Sequence, residues 1–104
     1  MNVAQAAKIR RGSMRWMILD SIYLNRPVGM HTAELLPIIR SVYKDATHLE
    51  IRRELDYLEE RELVRIQKDP LDNWSVNLKR YGIEIVEYAC ECDPGIDRPT
   101  ITQA

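Results

Sequence analysis

Cys90-Glu91-Cys92, His31 and His48 are the residues of this 104-residue chain most suited to holding a metal. A zinc site takes four ligands, usually with a second Cys or His pair at a matching spacing. No second cysteine pair exists here, and the two histidines fall in different segments. The expectation is incidental reduced thiols, no metal and no cofactor. Catalytic patterns are equally absent. The chain has no glycine-rich phosphate loop, no nucleophile elbow and no His-Glu-x-x-His run, and its many carboxylates fall on solvated helix faces. It is not expected to be an enzyme. Met14, Met17 and Met30 read as core fillers rather than as a cofactor box.

The remaining chemistry is charge. Fifteen Lys and Arg against sixteen Asp and Glu give a net charge of -1, so any surface for phosphates must be local. Lys8, Arg10, Arg11 and Arg15 form the densest positive stretch. Further along the chain, Arg52 and Arg53, Arg65 and Lys68, and Lys79 and Arg80 are the other candidates for contact with DNA. Trp74 offers a ring that stacks on sugar or base, although an aromatic on a hairpin more often packs across the strands. The longest apolar run, Trp16 to Leu19, is far short of the roughly 20 residues that span a bilayer. With no apolar h-region after the basic start, the expected setting is the cytoplasm.

Periodicity supplies the elements that must position these residues. Residues 1–12 are expected as a basic arm or frayed helix, with Gly12-Ser13 as a break and possible N-cap. From Ser13, Met14, Met17, Ile18 and Ile22 make an amphipathic stripe that stops at Asn25-Arg26-Pro27. Val28 to His31 supplies one brief strand, and Thr32 caps a short helix to about Val42 that Pro37 should tighten or bend. Thr47-His48-Leu49-Glu50 has the form of a capping box opening a third helix, which should end near Glu62. Its buried direction is Ile51, Leu55 and Leu58, and the opposite face carries Leu49, Arg53, Asp56, Tyr57 and Glu60. Leu63 to Lys68 and Trp74 to Leu78 alternate as a β-hairpin around a turn carrying Asp69 and Asp72. Ile83, Ile85, Val86 and Ala89 read as a closing helix to about Cys90. Residues 91–104 are expected to be an extended tail, and residues 13–90 the folded domain.

The order helix, short strand, helix, helix, hairpin, helix is that of a winged helix-turn-helix: a three-helix core, a two- to three-stranded wing and a C-terminal helix. Leu55-Asp56-Tyr57-Leu58-Glu59-Glu60-Arg61-Glu62-Leu63-Val64 resembles the L-x-x-L-x-x-x-G-L-V run that joins recognition helix to wing in many bacterial winged-helix regulators, with Glu62 in place of the glycine. Leu78-Lys79-Arg80-Tyr81-Gly82 is similar to the L-T-x-x-G segment by which such proteins leave the wing, with Lys79 in place of the threonine. With the tail Cys92 to Pro99, the chain resembles small winged-helix proteins of Mu-like bacteriophages and prophages.

The resemblance implies double-stranded DNA as partner, with a role as a regulator or an accessory to DNA handling. A homodimer is expected, on the apolar surface of Trp16, Tyr23, Ile85 and Tyr88. One feature opposes DNA. From Thr47 to Glu62 six acids (Glu50, Glu54, Asp56, Glu59, Glu60, Glu62) face three arginines (Arg52, Arg53, Arg61), a poor composition for a helix in the major groove. The rival expectation is therefore a winged helix used as a protein-interaction module in phage assembly or packaging. If DNA is bound, the arm and wing should carry most of the affinity.

Overall fold

The computed structural model describes residues 1–71 and 73–101. Asp72, expected at the hairpin turn, lies outside the described residues. The elements are α1 (Val3–Leu24), β1 (Met30–His31), α2 (Thr32–Arg40), α3 (His48–Glu60), β2 (Val64–Gln67), β3 (Ser75–Leu78) and α4 (Arg80–Val86). This is the expected order.

The first helix starts ten residues earlier than the sequence reading placed it. Asn2 caps it: the Asn2 carboxamide oxygen accepts from the Gln5 amide at 2.8 Å, and the Gln5 side chain accepts from the Asn2 amide at 3.2 Å. This reciprocal pair satisfies two of the donors that a helix start leaves orphaned. Residues 3–12 are thus the first turns of α1 and not an arm. Gly12 continues the helix and is buried, because the tail lies across it: the Asp97 amide donates to the Gly12 carbonyl at 3.1 Å.

Other ends also shift. His31, not Thr32, is the N-cap of α2, with the Glu34 carboxylate accepting from the His31 amide at 2.9 Å. Pro37 sits inside α2, which ends at Arg40, earlier than expected. At α3 only half of the expected box forms. The Thr47 hydroxyl accepts from the Glu50 amide at 3.2 Å, but the Glu50 carboxylate turns to Arg10. The last helix, α4, stops at Val86 rather than Cys90, because Tyr88 takes a left-handed conformation with φ 59°.

The sheet is antiparallel with order β1-β3-β2; Met30 faces Val76, and Val64 and Ile66 face Leu78 and Val76. Val64 and Val76 bury one face of this small sheet against the helices. The core is Met14, Ile18, Leu19 and Ile22 of α1, Leu35 and Ile39 of α2, and Ile51, Leu55 and Leu58 of α3, with Leu63 and Ile85 closing it. Each such side chain contributes about 1.5–3 kcal/mol on burial. At Gly82 the first turn of α4 meets the entry to β2 so closely that a Cβ there would lie 2.2 Å from the Leu63 carbonyl oxygen.

The stretch after α4 has no regular structure but is packed. Ile96 is buried, Arg15 donates to the Gly95 carbonyl at 2.9 Å, and Arg98 donates to the Ile85 and Cys90 carbonyls at 3.0 Å each. The surface that suggested a dimer is also satisfied within one chain. Ile85 is fully buried, Trp16 meets Tyr88 edge-on at 6.3 Å, and the Tyr23 hydroxyl donates to Glu87 at 2.6 Å.

Candidate nucleic-acid interface

The second helix of the helix-turn-helix, α3, is held by charges from two sides. Arg10 of α1 makes a two-pronged contact with Glu50, Nε to Oε2 at 2.7 Å and Nη2 to Oε1 at 2.9 Å. The third nitrogen of Arg10 reaches Asp45 at 2.9 Å, and its guanidinium lies 4.8 Å from the Tyr43 ring centre. Arg10 holds the Asp45 carboxyl below the ordinary carboxylate range, and the two acids, Glu50 foremost, raise Arg10 above the ordinary arginine value. Five residues further along α1, Arg15 pairs with Glu54 at 2.8 Å, where both side chains are largely buried. A buried carboxylate needs this partner, since an unpaired one costs several kcal/mol.

Asp56 and Glu59 of α3, and Glu62 just beyond it, are engaged from the wing side. Asp56 lies 3.8 Å from Lys68. The Glu59 carboxylate accepts from the Ile66 amide of β2 at 3.0 Å, which fixes the wing to the helix. Glu62 pairs with Lys79, which lowers the Glu62 carboxyl below its usual range. Of the six acids counted in the sequence, Glu60 is the one with no side-chain partner among the described residues. Four of the six acids that argued against a duplex, Glu50, Glu54, Asp56 and Glu62, are therefore paired with cations of the chain.

Glu62 also explains the departure from the glycine of the resembling motif. It has φ 67°, in the left-handed region. The Leu63 amide donates to the Leu58 carbonyl and the Glu62 amide to the Glu59 carbonyl, both at 3.0 Å. This is the Schellman pattern, whose left-handed position glycine fills most easily. A glutamate holds the same geometry here, and its carboxylate gains the contact with Lys79.

The candidate DNA-contacting residues fall into three groups. Arg11, Arg53 and Arg65 are exposed and make no ion pair among the described residues. Arg53 is on the outer face of α3, Arg65 on β2 and Arg11 on α1. Arg52 and Lys68 gather at Trp74, with the Arg52 guanidinium 5.4 Å and the Lys68 ammonium 4.5 Å from its ring centre. Trp74 is half-buried, and its backbone carbonyl accepts from the Thr32 amide at 3.0 Å. It thus joins the start of α2, α3 and the wing. The third group is engaged with acids. Arg10 is held by Glu50 and Asp45, Lys79 by Glu62, and Arg80 more loosely by Glu84 at 3.3 Å. Arg80 remains 93% exposed, so it stays open to a phosphate, whereas a phosphate at Arg10 would have to displace two carboxylates.

The pairing of α1 with α3 was not readable from the sequence. Arg10–Glu50 and Arg15–Glu54 join residues 40 and 39 positions apart, and nothing local marks them. Cys90 and Cys92 are free and half-buried, and desolvation pushes both thiols above the ordinary cysteine range. Among the described residues no group of three His, Cys, Asp or Glu is arranged to hold a metal ion, and no helix is long and apolar enough to cross a membrane.

A helix-turn-helix of α2 and α3 on α1, flanked by a three-stranded wing and a closing helix, defines the winged-helix fold. A solved structure shares it: MepR, a transcription regulator of the Staphylococcus aureus multidrug efflux pump MepA, superposes with a TM-score of 0.61 at 16% identity over 83% of this chain and 67% of that one. No family model matches the sequence, and no curated protein does.

Proposed function

We propose that the chain is a non-enzymatic, DNA-binding winged-helix protein, a regulator of transcription or an accessory to DNA handling, encoded by a phage or prophage and acting in the cytoplasm. The observation that carries this reading is the neutralisation of α3. With Glu50, Glu54, Asp56, Glu59 and Glu62 engaged inside the protein, the outer face of the helix offers Arg53 without an opposing pair. Recognition helices present their N-terminal half to base edges, and Arg53 lies in that half of α3. Arg52 at Trp74 and Arg65 on β2 supply wing-side charge for phosphates, which position the protein without specifying sequence, and Lys68 joins them where a phosphate takes the place of Asp56 at 3.8 Å. The likeness to MepR supports the fold on which this reading rests.

A fluorescence anisotropy titration with random duplex DNA tests it. Binding should be micromolar or tighter at low salt and weaken as salt rises, with a slope of about 0.9 per phosphate contacted. Replacing Arg65 and Lys68 together should weaken binding to all sequences alike, whereas replacing Arg53 should alter sequence preference by about 1–3 kcal/mol where it meets a guanine. A homodimer on neighbouring half-sites belongs to this reading and is checked by sedimentation at tens of micromolar. No binding to any duplex at low salt would remove the DNA reading. The alternative would then stand, a winged helix that contacts a protein in phage assembly or packaging, favoured by the engagement of Arg10, Lys68 and Lys79 within the chain.

A further inference from the structure

The N-terminal half of α1, the C-terminal end of α3, the start of α4 and the packed tail enclose an open groove of about 1280 Å³. It exceeds the roughly 300–1,000 Å³ of small-molecule pockets, and it is a channel along a helix rather than a closed cavity. The ring of Tyr57 lines it, held between the Arg15 guanidinium at 3.4 Å and the Arg61 guanidinium at 3.7 Å from the ring centre. Arg15 is held further by Glu54 and the Gly95 carbonyl, and Tyr81 by a hydrogen bond of 3.0 Å to Asp93. The groove is therefore built from side chains that are already fixed. Tyrosine and arginine held in this way are the residues that most often anchor protein interfaces, since little rotamer freedom remains to be lost on binding.

The lining carries more cations than acids, with Arg15 already paired to Glu54. Lys8, Arg11, Arg15 and Arg61 line it against the carboxylates of Asp93 and Asp97. Asp93 is already turned to Tyr81 and lies 3.8 Å from Arg61, while Lys8 and Arg11 are exposed and make no ion pair among the described residues. Ile9, on the same helix and 49% exposed, adds an apolar side chain on the other side of Lys8 from Arg11. Exposed cations beside an apolar side chain and a fixed Tyr–Arg stack complement a segment that carries acids and an apolar side chain.

We propose that this groove is a docking site for a short acidic peptide segment of a partner protein, with carboxylates set against Lys8, Arg11 and Arg61 and an apolar side chain against Ile9. The site adjoins the Arg53 surface through Tyr57, one turn along α3, and shares Arg11 with the candidate DNA contacts, but it does not rest on the DNA reading. A chain with both surfaces joins a duplex to a protein.

The test uses the full chain, 15N-labelled, and a fluorescein-labelled ten-residue peptide with Glu at alternate positions and Leu or Phe between them. Two control peptides carry Gln for every Glu, or Ser for every Leu and Phe. The expected result is saturable anisotropy with amide shifts concentrated at Gln5–Gly12, Tyr57, Tyr81 and Asp93–Asp97, and at least tenfold weaker binding of either control. The double variant Lys8→Glu/Arg11→Glu should lose at least tenfold while its circular dichroism and melting are unchanged. The control Arg26→Glu/Lys44→Glu, which alters exposed cations outside the groove, should lose less than twofold. Equal loss in the two double variants, equal binding of the Gln peptide, shifts outside the groove, or shifts there with sodium benzoate or duplex DNA but not with the peptide would each overturn the proposal.

Discussion

Replacing Arg10 by glutamine tests whether α3 faces DNA with its acids masked. The substitution unmasks Glu50 and Asp45, which the Arg10 guanidinium holds at 2.7–2.9 Å. In water, a carboxylate about 10 Å from a phosphate repels it by about 0.4 kcal/mol, and screening at physiological salt cuts this roughly threefold. Two carboxylates acting on a few phosphates each then cost about 0.5–1 kcal/mol near physiological salt, a loss of about two- to fivefold in affinity, and about twice that free energy at low salt. Arg10→Gln should show that loss in an anisotropy titration with an unchanged number of phosphate contacts. The double variant Arg10→Gln/Glu50→Gln should recover most of it. Thermal melts supply the fold control, with an expected loss of about 1 kcal/mol for a partly exposed, two-pronged ion pair. Unchanged affinity in Arg10→Gln would refute the placement of α3 toward the duplex. A loss that the second substitution does not recover, with a salt slope lowered by about 0.9, would instead make Arg10 itself a phosphate contact.

Three further outcomes follow from the same geometry. Glu62→Gly should raise stability by about 0–1 kcal/mol in chemical denaturation, because relief of the left-handed strain outweighs the lost surface contact with Lys79 and the extra chain entropy of glycine, whereas Glu62→Val should lower it by about 1 kcal/mol; a valine variant as stable as the glycine one would contradict the Schellman reading. Asp45 and Glu62 have carboxyls lowered in the folded state by Arg10 and Lys79, so the stability they add is present above the ordinary carboxylate range and is lost as the pH falls through their folded values; melts from pH 7 down to 2 should show this acid limb, and it should be shallower in Asp45→Asn/Glu62→Gln. Cys90→Ser/Cys92→Ser should melt within about 0.5 kcal/mol of the unmodified chain, and in that chain both thiols should alkylate more slowly at pH 8 than free cysteine, as desolvation disfavours their thiolates; a large stability loss reversed by zinc would reveal a metal site.

The order of elements was legible because it rests on local signals: the stripe from Met14 to Ile22, the Thr47 cap, and the alternation of Val64-Arg65-Ile66 against Val76-Asn77-Leu78. The glycine position at Glu62 was legible too, through the motif around it, and its φ of 67° gives the reason. The extent of α1 was not, because Gly12-Ser13 looks like a stop in isolation, whereas the Gly12 position is set by the Asp97 backbone lying across it. The candidate site was half legible. Its exposed cations Arg53 and Arg65 could be named from spacing, but the net field of α3 depends on Arg10 and Arg15, which reach it only through the packing of α1 on α3. Counting acids along one helix therefore overstated its repulsion for phosphate.

The clasp between the tail and α1 has a consequence for the time order of folding. Arg15 and the Gly95 carbonyl are separated by 80 residues, so their contact closes nearly the whole chain and has a large loop entropy to overcome before it gives any return. The helix and hairpin contacts close far shorter loops and should form first, with the clasp last. An amide-exchange pulse during refolding would then protect Leu55 and Val76 before Asp97. The groove beside α1, one wall of which is the tail, would come into being only in that final step, so a chain whose core is complete would still be unable to hold a partner there.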